Sequence, residues 1–187
     1  MEKRVYTPLT DEKIEELKSG DSILLSGIIY TARDAAHKRL VELINSGNEL
    51  PFDIKDQIIY YVGPTPAKPG QVIGSAGPTT SYRMDPYSPQ LLDKGLKGMI
   101  GKGERGEEVV KSIRKNNGIY FASIGGAAAL TSKCIVSSEL VAYEDLGAEA
   151  IMKLEVKDLP LVVVIDSHGD NLYEIGQRQY LSSKINE

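Results

Sequence analysis

The chain has 187 residues, 41% of them hydrophobic, and a formal net charge of -4. That length suits one domain, residues 1–187, with a core large enough to fold without covalent staples. The acidic balance argues against a general nucleic-acid binder, and no apolar run approaches the ~18 residues of a membrane span.

In chain order, residues 10–17 predict a short helix capped by Thr10, with Gly20 as the stop. Residues 22–30 (SILLSGIIY) form a nearly continuous apolar run whose β-branched content predicts a buried strand. A helix starts near Thr31, carries Ala36, Leu40, Leu43 and Ile44 at helical spacing, and ends at Gly47. Residues 58–62 read as a strand, and residues 63–77 as a loop rich in Gly and Pro. Residues 84–92 predict a helix whose start is restricted by Pro86 and Pro89. Residues 98–103 predict a short buried strand, 107–117 a helix closed by Gly118, and 119–124 another strand. Residues 125–130 predict a small-residue helix that packs closely. Residues 151–156 and 161–165 read as a β-hairpin or two adjacent strands, and 166–170 as a turn. Strands mixed with helices throughout imply an α/β or α+β domain built as layers.

The segment of residues 75–85 (SAGPTTSYRMD) carries the densest chemistry. Gly77 and Pro78 break regular structure, and Thr79 and Thr80 supply short donors and acceptors. Arg83 supplies a planar fork that matches a carboxylate or phosphate. The lysine signature of a nucleotide P-loop is absent, so a carboxylate fits better. Arg33 falls between a strand end and a helix N-terminus, where backbone amides favour anions. Its plain alternative is a surface arginine bonded to Asp34. Two arginines at chain breaks, each near a threonine, fit the two ends of a dicarboxylate. Lys102, bracketed by Gly101 and Gly103, has room to reach the same ligand or to be an exposed turn lysine.

His37 lies one helical turn after Arg33 and suits a supporting structural role. His168 falls in a turn and is expected to be solvated. Cys134 is the only cysteine. It excludes an internal disulfide, and a buried, inert thiol on a helix-like stretch is its expected state. The residues show no Ser-His-Asp set, no HExxH and no metal-ligand spacing. The N-terminus lacks an apolar signal region, so a cytoplasmic protein is expected.

Several strings together resemble a known family. They are TARDAAHKR at 31–39, GPTT at 77–80 with Arg83, Met84 and Asp85, and Lys102-Gly103 with Arg105. SIGGAA at 123–128 and ELVAYE at 139–144, followed by Leu146-Gly147 and Glu149-Ala150-Ile151, extend the match. The chain resembles the β-subunit, or C-terminal domain, of class I fumarate hydratases, over roughly residues 5–175. The L-tartrate dehydratase β-subunit is a close relative.

The resemblance implies a swivelling β/β/α domain, a layered mixed sheet with helices. It implies an iron–sulfur hydro-lyase of the tricarboxylic acid cycle that hydrates fumarate reversibly to (S)-malate. The [4Fe-4S] cluster would be bound by a partner α-subunit and not by this chain, which agrees with the single cysteine. A hetero-oligomer is implied, with room for self-association when the chain is expressed alone. Carried over by position, Arg33, Thr80, Arg83 and Lys102 are implied to bind the substrate, and Thr79 to transfer the proton. The alternatives are a tartrate dehydratase β-subunit and a non-catalytic dicarboxylate-binding protein.

Overall fold

The computed structural model describes residues 2–123 and 128–185. Five strands run parallel and neighbour one another in chain order: β1 (Lys3–Tyr6), β2 (Ser22–Thr31), β3 (Ile58–Tyr60), β4 (Gly98–Gly101) and β5 (Ile119–Ser123). Two more, β6 (Ile135–Ala142) and β7 (Ile151–Ile165), join antiparallel. β7 pairs with β2 along one edge and with β6 and then β5 along the other. The pairings β2-β3-β4-β5-β7 therefore close into a ring, with β1 and β6 attached to it.

Alternation along the strands divides the core in two. Ile58, Tyr60 and Phe121 pack with Ile23, Leu25, Leu161 and Val163 in one buried cluster. Ile59, Tyr61, Met99 and Tyr120 pack in the other, under the helices. That second cluster receives Ala36 and Leu40 of α2 (Asp34–Asn45), Leu91 and Leu92 of α3 (Ser88–Asp93), and Val109 and Ile113 of α4 (Glu107–Asn116). Parallel neighbours need long crossovers, and the segment holding α2 links β2 to β3 as the one holding α4 links β4 to β5.

Most predicted elements stand, with shifts that have physical causes. The first helix, α1 (Asp11–Glu15), ends well before Gly20, and Thr10 caps it without a side-chain hydrogen bond. The helix predicted at 84–92 begins instead as a 3-10 turn (Ser81–Met84) before α3, with Pro89 in the first turn of α3. α4 closes on Asn117 in the left-handed region (φ 51°), so the residue before Gly118 takes the C-cap role. Only part of the predicted segment at 125–130 is described; α5 (Ala128–Lys133) begins there.

The expected strand pair at 151–165 is one continuous strand. Leu25 faces Leu159 and Gly27 faces Val156, so Lys157 and Asp158 oppose Ser26 alone. This is a β-bulge with Asp158 at φ 50°, where the sequence shows turn-forming chemistry. β1, β6 and α6 (Leu172–Ile185) carry no clear periodic signal and were not predicted.

Close strand packing gives a stability test. A Cβ at Gly98 would lie 2.7 Å from Ile58 Cγ1 and 3.1 Å from Leu9 Cδ1. Gly98→Ala is expected to destabilise the fold by about 1–3 kcal/mol through overpacking. Gly176, in exposed α6, has no atom within 4 Å of its would-be Cβ. Gly176→Ala is expected to be stabilising, and urea midpoints of the two variants check both signs.

Candidate functional site

The parallel strands β2, β3, β4 and β5 end together at one edge of the ring, and the loops leaving that edge carry the candidate residues. At the end of β2, Thr31 leads through Ala32 to Arg33, the N-cap of α2. At the end of β3 the chain continues through Tyr61, Val62 and Gly63. At the end of β4 it continues into Lys102.

The loop carrying Thr79 and Thr80 folds back onto these ends. Val62 bridges Pro78, and the Thr79 N–H donates to Tyr61 O at 2.7 Å. Thr80 bridges Lys102 in parallel register, and the Ser81 N–H donates to Lys102 O at 2.9 Å. The Lys102 N–H in turn donates to Ser81 Oγ at 3.0 Å. Only glycine fits at 101, because a Cβ there would collide with Ser81 Oγ. The preceding loop is itself ordered: Tyr60 donates to Ala76 O at 2.6 Å and the Ser75 N–H to Thr65 Oγ1 at 2.8 Å.

Arg83 reaches back from the 3-10 turn to the start of α2. Its Nε lies 3.0 Å from Asp34 Oδ1 and its Nη2 3.0 Å from Asp34 Oδ2. Arg33 and Lys102, from the ends of β2 and β4, thus lie at one edge with Thr79 and Thr80 of the loop and Arg83 of the 3-10 turn. The partners differ from the simplest expectation. Asp34 holds Arg83 and not Arg33. Arg33 pairs with Glu149, Nη2 to Oε1 at 3.6 Å, and its buried Nε has no hydrogen-bond partner among the described residues. Lys102 is exposed and makes no ion pair among the described residues. The Thr79 and Thr80 hydroxyls likewise make no hydrogen bond there, so both are free to meet a ligand.

His37 is fully buried beneath this edge. Its Nδ1 lies 2.8 Å from Arg33 O. A carbonyl only accepts, so Nδ1 carries the proton, while the buried Nε2 has no partner among the described residues. Burial pushes the imidazole pKa down to about 4. His37 is therefore a neutral brace for the Arg33 backbone. His168 is exposed in its turn, as expected.

Cys134 differs from its expected state. It is half-buried, sits just past α5, and its Sγ lies 3.8 Å from Asp158 O. Burial raises its thiol pKa, which disfavours the thiolate. Among the described residues, no group of three or more His, Cys, Asp or Glu side chains could hold a metal ion. This chain's donors do not fit an iron–sulfur cluster, which takes several thiolates.

Two contributors had weak signals in the sequence. Arg105 has a fully buried side chain and donates from Nε to Asp85 Oδ1 at 2.7 Å and from Nη2 to Ser88 Oγ at 2.7 Å. It also lies over the Tyr61 and Tyr120 rings, 5.3 and 5.0 Å from their centroids. Asp85 accepts a further bond from the Gly106 N–H at 2.7 Å. Glu149 comes from a turn more than a hundred positions away; it falls within one of the strings that carry the resemblance, but no spacing marks its contact with Arg33.

Sequence comparison decides the family. The family described as fumarase C-terminus matches residues 2–176. The chain belongs to that family. Escherichia coli K12 has a relative named fumarate hydratase class I, anaerobic, 45% identical over 80% of this chain and 28% of its own length. Fumarate hydratase 2 of Leishmania major is 36% identical over 87% of this chain and 29% of its own length. The chain thus spans under a third of these fumarate hydratases. A Methanocaldococcus jannaschii relative is 37% identical over 97% of this chain and 96% of its own length. Its provisional name is L(+)-tartrate dehydratase subunit beta. No helix among the described residues is long and apolar enough to cross a membrane.

Two stability outcomes follow from the groups beneath the site. Asp85→Ala leaves the Arg105 cation buried without its carboxylate, and is expected to cost about 3 kcal/mol or more in urea denaturation. His37 stays neutral in the fold to about pH 4, whereas its unfolded-state pKa is near 6.5. Below that value the unfolded chain binds a proton that the folded chain refuses. His37 therefore contributes full stability above about pH 6.5 and loses it towards its folded pKa, at up to about 1.4 kcal/mol per pH unit. The drop between about pH 7 and about pH 5 should be smaller in His37→Asn, read as urea midpoints at each pH.

Proposed function

We propose that this chain is the dicarboxylate-binding half of a two-part hydro-lyase that hydrates fumarate reversibly to (S)-malate. The observation that carries the reading is the convergence of Arg33, Arg83, Lys102 and two free threonine hydroxyls at the strand ends, within a fumarase C-terminus sequence. In this reading residues 1–187 form one domain of the swivelling β/β/α type, acting in the cytoplasm as part of a hetero-oligomer. The [4Fe-4S] cluster would belong to the partner α-subunit, since Cys134 alone cannot hold it.

The chain's own residues suit the diacid half of the reaction. Arg33, and the side of the Arg83 guanidinium that Asp34 leaves open, offer N–H groups to its carboxylates, and Lys102 adds an exposed charge at the same edge. Removing a proton from the carbon next to a carboxylate builds negative charge on that carboxylate. Cations fixed before the reaction stabilise this charge without reorganising. Thr80, held in register with Lys102, lines the diacid loop. Thr79 Oγ is assigned to proton transfer at the substrate carbon. A threonine hydroxyl is too weak a base alone, so it needs a basic group from the partner.

A second reading has its own support. The Methanocaldococcus jannaschii relative of the same size is named as a tartrate dehydratase β-subunit. Tartrate differs from malate by one hydroxyl, so the two readings share the carboxylate contacts and part at the partner's side of the pocket.

Co-expression with the α-subunit under anaerobic conditions, followed by assays on fumarate, malate and tartrate, tests the proposal. The assembled pair should turn over one of these diacids, and the chain alone none. Turnover by the chain alone would contradict it. Arg83→Lys in the pair keeps the charge but loses the fork, and should lower kcat as well as raise KM. Thr79→Val keeps shape and removes the hydroxyl, so kcat should fall roughly 10²–10⁴-fold, more than for Thr80→Val. If Thr79→Val exchanges the substrate proton with solvent deuterium at the wild-type rate, the base lies elsewhere.

A further inference from the structure

The segment after the 144–149 turn is fastened to the end of β2. The Thr31 hydroxyl donates to Ala150 O at 3.2 Å and accepts from the Met152 N–H at 3.0 Å. Glu149 is thereby fixed beside Arg33, which follows Thr31 by two residues. Its carboxylate is anchored too: Oε2 accepts the Ala35 N–H at the start of α2 at 2.9 Å. The helix N-terminus favours a negative charge there. The turn is tied to α2 again by a fork between Arg39 and Asp145.

The contact from Glu149 Oε1 to Arg33 Nη2 is long, at 3.6 Å, and both side chains are about three-quarters buried. Charge-assisted hydrogen bonds lie nearer ~2.8 Å. The carboxylate is thus bonded to the helix and only leans on the arginine. On another side, Arg33 packs against the backbone of Gly63, where a Cβ would lie 2.5 Å from Nη1. One flank of the guanidinium is set by Gly63 and another by Glu149. Because the helix holds Glu149, an arriving carboxylate would not displace it.

We infer that Glu149 is a positioning residue, a fixed counter-charge that sets the Arg33 guanidinium for a substrate carboxylate. The inference rests on the proposed role of Arg33 in dicarboxylate binding. It assigns Glu149 neither a cap function alone nor the part of an internal competitor for Arg33. Gln at 149 separates these roles. It retains an oxygen for the Ala35 N–H and removes the charge that faces Arg33.

The test uses the chain assembled with its partner subunit and the diacid that the pair turns over. Glu149→Gln should lower the urea midpoint only slightly, through the charge lost at the helix N-terminus, while kcat/KM falls roughly tenfold, mostly through KM. The Arg33→Ala/Glu149→Gln double variant should lose no more than Arg33→Ala, because Glu149 acts through Arg33. Unchanged kcat/KM in Glu149→Gln would leave a cap only, and a gain would make Glu149 a competitor; each overturns the inference. An additive loss in the double variant also overturns it. If Arg33→Ala itself turns over at the wild-type rate, the dicarboxylate role of Arg33 fails and the inference with it. If Arg33→Ala is impaired while Glu149→Gln is normal, the inference alone fails.

Discussion

The site depends on one buried cation. Arg105 has no exposed side-chain surface, and an unpaired charge there would be costly. Asp85 and Ser88, on the segment after the loop of Thr79 and Thr80, satisfy it, and the Tyr61 and Tyr120 rings flank it from the end of β3 and from β5. The same ring network extends to the loop itself. Tyr120 donates to Gly103 O at 2.8 Å and its hydroxyl lies 2.9 Å from Ser81 Oγ, which accepts the Lys102 N–H. Demand for partners by a buried guanidinium thus fastens residues 81–88 to the sheet. Arg83 stands on that fastened segment, and Thr79 and Thr80, which directly precede it, are held by the ends of β3 and β4, so their placement does not wait for a ligand.

Charge at the edge is balanced around the start of α2. Arg33 leans on Glu149, and Arg83 is held by Asp34. Both carboxylates sit at the helix N-terminus, which favours them. The arginines are therefore oriented cations with part of their charge already met, whereas Lys102 is exposed and makes no ion pair among the described residues. A doubly charged diacid suits such a set better than a highly charged phosphate ester.

Much of this was legible in the sequence, and the limits have physical causes. β2, β3, β4 and β5 announced themselves because strands buried on both faces read as continuous apolar runs. The proposed site residues stand out in the sequence because glycines and prolines mark the loops beside them. β6 does not, since its exposed Val136 and Leu140 alternate with polar residues without an apolar face. Asp158 and Pro160 mimic a turn, and only the ladder with β2 shows a bulge in a single strand. Glu149 and the Asp34–Arg83 pair are contacts between distant segments, which spacing along a chain does not encode. The inert state of Cys134 was expected, but its half-exposed position beyond α5 depends on β7 passing alongside it.

The measurement that bears most directly on the central claim is a crystal structure of the chain assembled with its α-subunit and a non-reactive dicarboxylate. The account predicts the carboxylates within hydrogen-bonding distance of Arg33, Arg83 and Lys102, with Thr79 Oγ facing the carbon that exchanges its proton. A diacid held by the partner subunit alone, with these five side chains turned away from it, would contradict the account.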